Sequence, residues 1–348
     1  MIIIATASQL ANNLSILKKI LLSGPDVLRF NFSYGNINEK IANIQTAQDT
    51  INEVGGQTKI LADLPSPKIR LGGFPLKELY VEEGKTLVLK SANYSDDPKN
   101  FLPVQFPEIG NLFYPEQTIV IDEGEISLKV NCILDKDTIE VLLFNTGYIL
   151  PYKGLNWTEQ TFDYNEHINK ISTTILPILT HLNLRYITCP FVNNADIAKK
   201  YRAAIEKQTW DNNQPKIVLK LETEESIQNA ESIIPLSDVI LLERGDLGIR
   251  APFEKMGVYQ KHIIRLCEKF NKPLFISSQI LESTIHNFIP QRSEICDLTS
   301  MVIDGVKGIV LCHETGINGS RPAYPISVAK KIIDEALIYK LKISKEKK

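Results

Sequence analysis

Eight short apolar runs constrain the fold of this chain more than any other feature. They are Ile2–Ala5, Val27–Phe30, Lys59–Ala62, Tyr186–Cys189, Lys216–Leu221, Asp238–Leu242, Pro273–Ile276 and Gly308–Leu311. Each has the length of a buried strand, and most lead into helical apolar spacing. Such stretches follow at Leu10–Leu22, Asn38–Val54, Ala195–Gln208, Glu224–Ile233, Phe253–Phe270, a span that includes Glu294–Val302, and Pro325–Tyr339. The basic tail Lys340–Lys348 reads as frayed.

The third run breaks the rhythm. From about Leu71 to Gly154 the pattern turns to short strands, at Leu79–Val81, Thr86–Leu89, Thr118–Ile121, Ile126–Val130, Ile139–Leu143 and Tyr148–Leu150. Turn signals such as Glu82-Glu83-Gly84, Asp122-Glu123-Gly124 and Asp135-Lys136-Asp137 separate them. The expected architecture is α/β: a (β/α)8 TIM barrel over residues 1–70 and 155–348, with an all-β lid domain, 71–154, inserted after barrel strand 3. An open doubly wound sheet is the alternative, but no glycine-rich fingerprint follows the first strand.

Charge and cysteine content narrow the setting. The 348 residues carry 39 Lys+Arg against 41 Asp+Glu, which gives nucleic acid no support. No apolar run reaches about 18 residues, so no membrane span is expected. The N-terminus lacks a signal-like basic and apolar pairing. The cysteines, Cys132, Cys189, Cys267, Cys296 and Cys312, have no CxxC spacing and read as reduced thiols. A cytoplasmic location follows, and zinc is disfavoured.

Active sites of barrels lie at the C-terminal ends of the strands. Those ends are charged here: Arg29-Phe30-Asn31-Phe32-Ser33, then Asp63 with Lys68 and Arg70 beyond, Lys220-Leu221-Glu222, Glu243-Arg244-Gly245-Asp246, Ser277-Ser278-Gln279, and Cys312-His313-Glu314. Alternate strand residues share a face, so Arg29, Asn31 and Ser33 align, as do Lys220 and Glu222. Glu222 and Asp246 offer hard oxygen ligands for Mg²⁺ or Mn²⁺, or they pair with Arg244. Metal beside Arg and Lys is the apparatus of phosphoryl transfer. Spacing alone reaches a metal-dependent barrel enzyme acting on an anionic substrate.

The same residues resemble the pyruvate kinase family. Leu28–Gly35 (LRFNFSYG) is similar to RLNFSHG, Asp63–Arg70 (DLPSPKIR) to DTKGPEIR, and Val120–Ile126 (VIDEGEI) to VDDGLI. Lys153–Asn156 resembles KGVN, Lys216–Glu222 (KIVLKLE) IISKIE, Glu243–Gly248 (ERGDLG) ARGDLG, and Ser278–Ser283 (SQILES) TQMLES. The resemblance runs from about residue 1 to 335. It implies transfer of phosphate from phosphoenolpyruvate to a nucleoside diphosphate, giving pyruvate and a nucleoside triphosphate in glycolysis. Lys220, Arg29 and Ser278 would be catalytic. Gly245, Asp246 and Arg70 would bind substrate, Asn31 and Lys153 the nucleotide, and Glu222 and Asp246 the divalent metal.

The departures from the family are specific. Lys68 stands where K⁺-dependent members have Glu, which implies that K⁺ is not required and that Asn31, Ser33 and Asp63 surround an ammonium instead. The family's C-terminal regulatory region has no counterpart here, so sugar-phosphate allostery is not expected. The family's opening TIGPAS is reduced to Ala5-Thr6-Ala7-Ser8, and Tyr34, Trp157-Thr158-Glu159, Cys312-His313 and Ile317 alter the nucleotide side. Glu243 replaces a small Ala, and a negative charge there is expected to repel the substrate or reshape its pocket. Two other readings stay open: a repurposed enolate enzyme with another acceptor, and a catalytically weak binding or regulatory protein. Assembly into homo-oligomers through the barrel is open too.

Overall fold

The computed structural model describes residues 1–7, 13–33, 35–157, 162–316 and 321–346. The chain divides into two compact units. One comprises Met1–Ser66, Asp163–Leu247 and Glu254–Lys348, the other Pro67–Phe162 and Gly248–Phe253.

The first unit is a closed barrel of eight parallel strands: Ile2–Thr6, Val27–Asn31, Lys59–Asp63, Tyr186–Cys189, Lys216–Leu221, Val239–Glu243, Leu274–Ser277 and Gly308–Leu311. Each pairs with its neighbours in the sequence of strands, and the last closes on the first through Ile2 opposite Gly308. Every one of the eight apolar runs is a barrel strand. Inside the barrel Ile4, Val27, Leu61, Tyr186, Val218, Val239, Leu241, Phe275 and Val310 form an apolar cluster. Tyr186 and Phe275 meet edge to face at 5.8 Å between centroids.

This layer leaves no room for another methyl at Gly308. A Cβ there would lie 2.6 Å from Phe275 Cδ1 and 3.2 Å from the Ile2 carbonyl oxygen. Gly308→Ala is therefore expected to destabilise the barrel by about 1–3 kcal/mol through overpacking. Urea denaturation measures this; an unchanged midpoint would show that the ring has somewhere to go.

Helices begin where polar side chains satisfy their first N–H groups. Asn13, Asn36, Asp163, Asn194 and Thr223 accept from the first turns of the helices starting at Leu14, Ile37, Tyr164, Ala195 and Glu224. Several differ from the sequence pattern. The first is described over Leu14–Leu22 with its cap at Asn13, and residues 10–12 of the expected stretch lie outside the described residues. The Glu224–Ile233 stretch is two helices, Glu224–Gln228 and Ala230–Ile233, parted at Asn229, whose side chain donates to the Asn193 carbonyl at 2.9 Å. The Phe253–Phe270 stretch is a 3₁₀ turn, Phe253–Lys255, followed by the helix Met256–Lys269. The last helix, Tyr324–Glu346, continues through the segment expected to fray. Ile333 and Ala336 are buried, and Lys340 donates to the Val302 carbonyl at 3.1 Å, which extends the packing.

The second unit holds a six-stranded sheet, in the order Leu155–Asn156, Thr118–Ile121, Ile126–Asp135, Thr138–Leu143, Thr86–Ser91 and Leu102–Val104. Its pairs are antiparallel except the last, which is parallel. Gly147–Ile149 pairs separately with Leu79–Val81. The unit has its own core, including Leu89, Leu102, Ile119, Leu128, Val130, Ile139, Val141 and Trp157. This unit extends beyond the expected 71–154. Leu155–Asn156 pairs with Val120 and Ile121 as the edge of the sheet, and Arg70 makes an isolated bridge to Gly154. Those two-residue and single-residue pairings are too short to show as strand periodicity.

Candidate active site

The barrel strands change character two residues beyond their apolar layer. Residues two apart on a strand face the same way. Thus Ile4 is followed on the inner face by Thr6, Val27 by Arg29, Leu61 by Asp63, and Tyr186 by Thr188. In the same way Val218 is followed by Lys220 and then Glu222, Leu241 by Glu243, and Val310 by Cys312. The outcome is a buried polar layer at the strand C-termini. Thr6, Arg29, Asp63, Thr188, Lys220, Glu222, Glu243 and Asp246 are all buried, and Glu222 is fully so.

Buried charge is tolerated only when paired. Arg29 donates to Asp63 Oδ2 from Nη2 at 2.5 Å and from Nε at 2.9 Å, and to Thr6 Oγ1 from Nη1 at 3.0 Å. The same Nη1 lies 3.8 Å from Cys312 Sγ. Asp63 Oδ1 accepts from Thr188 Oγ1 and lies 3.9 Å from Lys220 Nζ. Lys220 Nζ is 3.0 Å from Glu222 Oε1 and 3.9 Å from Glu243 Oε2. The Phe191 amide donates to Glu222 Oε1 at 3.3 Å, and Phe191 takes a left-handed φ of 51° to do so. Such backbone is costly for a bulky residue and is held only where the surroundings fix it.

The charges do not balance. Two cations, Arg29 and Lys220, face four carboxylates, Asp63, Glu222, Glu243 and Asp246. Burial opposes the Lys220 charge, but Asp63, Glu222 and Glu243 together hold it well above the ordinary lysine range. Burial likewise opposes the Arg29 charge, and Asp63 more than offsets it. Asp63 resists its own burial because Lys220 and Arg29 hold its carboxyl below the usual range. Glu222 is the member left short. It shares Lys220 with two other anions, and burial, with Asp246 and Glu243 nearby, pushes it up to about 7. Its Oε2 is buried with no hydrogen-bond partner among the described residues. An excess of negative charge and an orphaned carboxylate oxygen fit a hard divalent cation. Among the described residues no cluster of three or more His, Cys, Asp or Glu side chains is built to enclose a metal. Glu222 and Asp246 are the carboxylates that would hold such a cation.

Ser278 follows the strand Leu274–Ser277 in a turn where both Ser278 and Gln279 have positive φ, 69° and 52°. The turn is clamped from both sides. Arg244 donates to the carbonyls of Ser277, Ser278 and Gln279, the shortest contact being 2.7 Å to Ser278. Glu314 Oε1 accepts from the Ile280 and Leu281 amides at 3.1 and 3.2 Å. Arg244 also pairs with Asp297 at 2.6 Å. Ser278 Oγ donates to Glu243 Oε1. Gly245 and Asp246 lie in the first turn of the helix Arg244–Arg250, where N–H groups have no partner within the helix.

The remaining predicted positions are placed as follows. Asn31 Oδ1 accepts from the Ser33 amide at 2.8 Å, and Ser33 Oγ accepts from the Ser66 amide at 3.2 Å. Lys68, Arg70 and Lys153 belong to the second unit. There Arg70 donates to the Tyr152 carbonyl at 3.3 Å and Lys153 pairs with Asp122 at 2.7 Å. Tyr34, Ser8, Thr158, Glu159 and Ile317 lie outside the described residues. His313 Nδ1 lies 3.1 Å from Glu282 Oε1. Sequence reasoning missed Thr6 and Thr188 as partners of the ion pairs, and Arg244 and Glu314 as the clamp. The two threonines carried a signal, since each stands two residues after an inward apolar position.

Glu243 has partners within the buried layer: its carboxylate accepts from Ser278 and lies 3.9 Å from Lys220.

Comparisons with known proteins show the family and the fold. A family model described as pyruvate kinase, barrel domain, matches residues 1–327. The pyruvate kinase of Thermococcus litoralis is 28% identical over 330 residues, covering 95% of this chain and 68% of that protein. That of Thermotoga maritima is 28% identical over 335 residues, covering 96% and 70%. The solved structure of Cryptosporidium parvum pyruvate kinase in complex with ADP has a TM-score of 0.85 at 28% identity, covering 96% of this chain and 67% of that one.

Proposed function

Because this chain belongs to the pyruvate kinase family, we propose that it transfers the phosphoryl group of phosphoenolpyruvate to a nucleoside diphosphate, yielding pyruvate and a nucleoside triphosphate. The observation that carries this reading is the buried layer in which Lys220 and Arg29 stand beside Glu222 and Asp246. Phosphoryl transfer asks a protein for positioning and charge neutralisation more than for covalent chemistry. Lys220 stays charged and stabilises the group in flight. Arg29, fixed by Asp63 and Thr6, presents a rigid guanidinium to phosphate. The amides at Gly245 and Asp246 hold the substrate carboxylate. Glu222 and Asp246 would hold Mg²⁺ or Mn²⁺, which when bound neutralises charge on the enolate oxygen and the phosphoryl group. Ser278 Oγ faces the carbon that gains a proton.

Arg70, Asn31 and Lys153 are assigned to phosphate and nucleotide by the motifs they occupy. The complex of the Cryptosporidium parvum protein with ADP supports a nucleotide partner of that class. The departures on the nucleotide side fall partly on residues outside the described ones, and Glu243, the other departure, is met by Lys220 and Ser278. Among the described residues no helix is long and apolar enough to cross a membrane.

By the motif it occupies, Lys68 is assigned the charge that K⁺ supplies elsewhere in the family. The initial rate of ATP formation from phosphoenolpyruvate, ADP and Mg²⁺ tests both points. We expect turnover that is unchanged when K⁺ is replaced by tetramethylammonium. A rate that collapses without K⁺ would remove the role of Lys68, and no turnover with any nucleoside diphosphate would remove the function.

A further inference from the structure

We propose that Glu243 is the proton reservoir of Ser278, and that the Ser278–Glu243 pair carries the proton to and from the methyl carbon of pyruvate. The proposal rests on the reading that the reaction passes through the enolate of pyruvate. Three observations lead to it. Ser278 Oγ donates to Glu243 Oε1, and both residues are buried. The turn carrying Ser278 has two consecutive left-handed residues, and its main chain is held by Arg244 and Glu314. The second oxygen of Glu243 faces Lys220 at 3.9 Å, with Arg29 and Glu222 as its further charged neighbours.

A serine hydroxyl alone is a poor relay. Giving up its proton leaves an alkoxide, and taking one from carbon needs somewhere to send its own. A carboxylate hydrogen-bonded to it removes both obstacles. In the enolising direction the C–H bond of the methyl group breaks and its electron pair enters the enolate. The proton goes to Ser278 Oγ as the Ser278 hydroxyl proton moves to Glu243. In the ketonising direction the same two protons move back: Glu243 returns its proton to Oγ while Oγ protonates the carbon. Glu243 exchanges its proton with water between turnovers. The ARGDLG motif that this segment resembles has Ala at this position, and a methyl group can neither take nor return a proton. The relay is therefore a property of this chain.

The test compares two rates in the same full-length protein. One is loss of the pyruvate methyl proton signal in D₂O with Mg²⁺ and ATP; the other is ATP formation from phosphoenolpyruvate and ADP. Glu243→Gln keeps the shape and still accepts the Ser278 hydrogen bond, but cannot take a proton. The ratio of exchange to ATP formation is expected to fall by roughly 10²-fold in this variant and in Ser278→Ala. Glu243→Asp should recover part of it. Thermal unfolding verifies that each variant is folded. A Glu243→Gln protein with an unchanged ratio would leave Glu243 only a structural role and overturn the relay. Wild-type protein that exchanges the methyl protons but forms no ATP would overturn the phosphotransfer reading, and the variants would then be judged on exchange alone. Wild-type protein that does neither would overturn both.

Discussion

Lys220→Met is expected to lower the phosphoenolpyruvate-to-ADP turnover by roughly 10²–10³-fold, the cost of losing one preorganised charge at a developing anion. The same substitution should be expensive for the fold. Lys220 stands within 4 Å of Glu222, Glu243 and Asp63, at 3.0, 3.9 and 3.9 Å. Removing it leaves buried carboxylates without their shared cation, and breaking a buried pair in this way costs about 3–5 kcal/mol. Met fills the volume of the stem, so the loss reports charge rather than a cavity. Two measurements check this: steady-state kinetics at saturating substrate, and denaturation midpoints with and without Mg²⁺. Mg²⁺ should restore part of the stability, since Glu222 and Asp246 remain. Turnover within tenfold of wild type would show that Lys220 does not face the phosphoryl group.

Glu222→Gln should have the second largest effect, and pH separates it from the first. Glu222 has a folded-state value of about 7, above its ordinary 4.5, because burial and neighbouring anions disfavour its charge. Its contribution to stability is therefore fully present below about pH 4.5 and is lost as pH rises through about 7. Asp63 has the opposite sign: held below 3.8 by Lys220 and Arg29, its contribution is lost only as the pH falls below that value. Between pH 5 and 8 the Glu222 effect stands clear. Metal-free wild type should lose thermal stability across this window, and Mg²⁺ should stabilise it more at pH 8 than at pH 6. In Glu222→Gln both trends should flatten and turnover should fall by roughly 10²–10³-fold. A variant that keeps the full Mg²⁺-induced shift at pH 8 would place the cation elsewhere.

Much of this was legible because period-2 logic works for buried parallel strands. The apolar runs mark the barrel, and the polar residue two places beyond each inward apolar one marks the site. Arg29, Asp63, Lys220 and Glu222 follow from that rule once the runs are recognised as barrel strands. What the rule omits is who pairs with whom across strands far apart in sequence. Thr188 reaches Asp63 and Ser278 reaches Glu243 over long separations, and nothing local signals either contact. Glu243 shows the consequence. Read in one dimension it is a charge placed against the substrate; in the barrel it faces a lysine and accepts from a serine. The clamp on Ser278 was illegible for a similar reason. Arg244 bonds three main-chain carbonyls, and main-chain acceptors leave no trace in side-chain identity. The edge pairing of Leu155–Asn156 was hidden by its length, since two residues have no periodicity to detect.

Phosphorus NMR of the wild-type protein with phosphoenolpyruvate, ADP and Mg²⁺, in a buffer free of K⁺, tests the central claim most directly. The account predicts that the phosphoenolpyruvate signal decays as the γ-phosphate of ATP rises in equal amount, with no free phosphate. Phosphoenolpyruvate that persists, or that yields free phosphate without ATP, would contradict it.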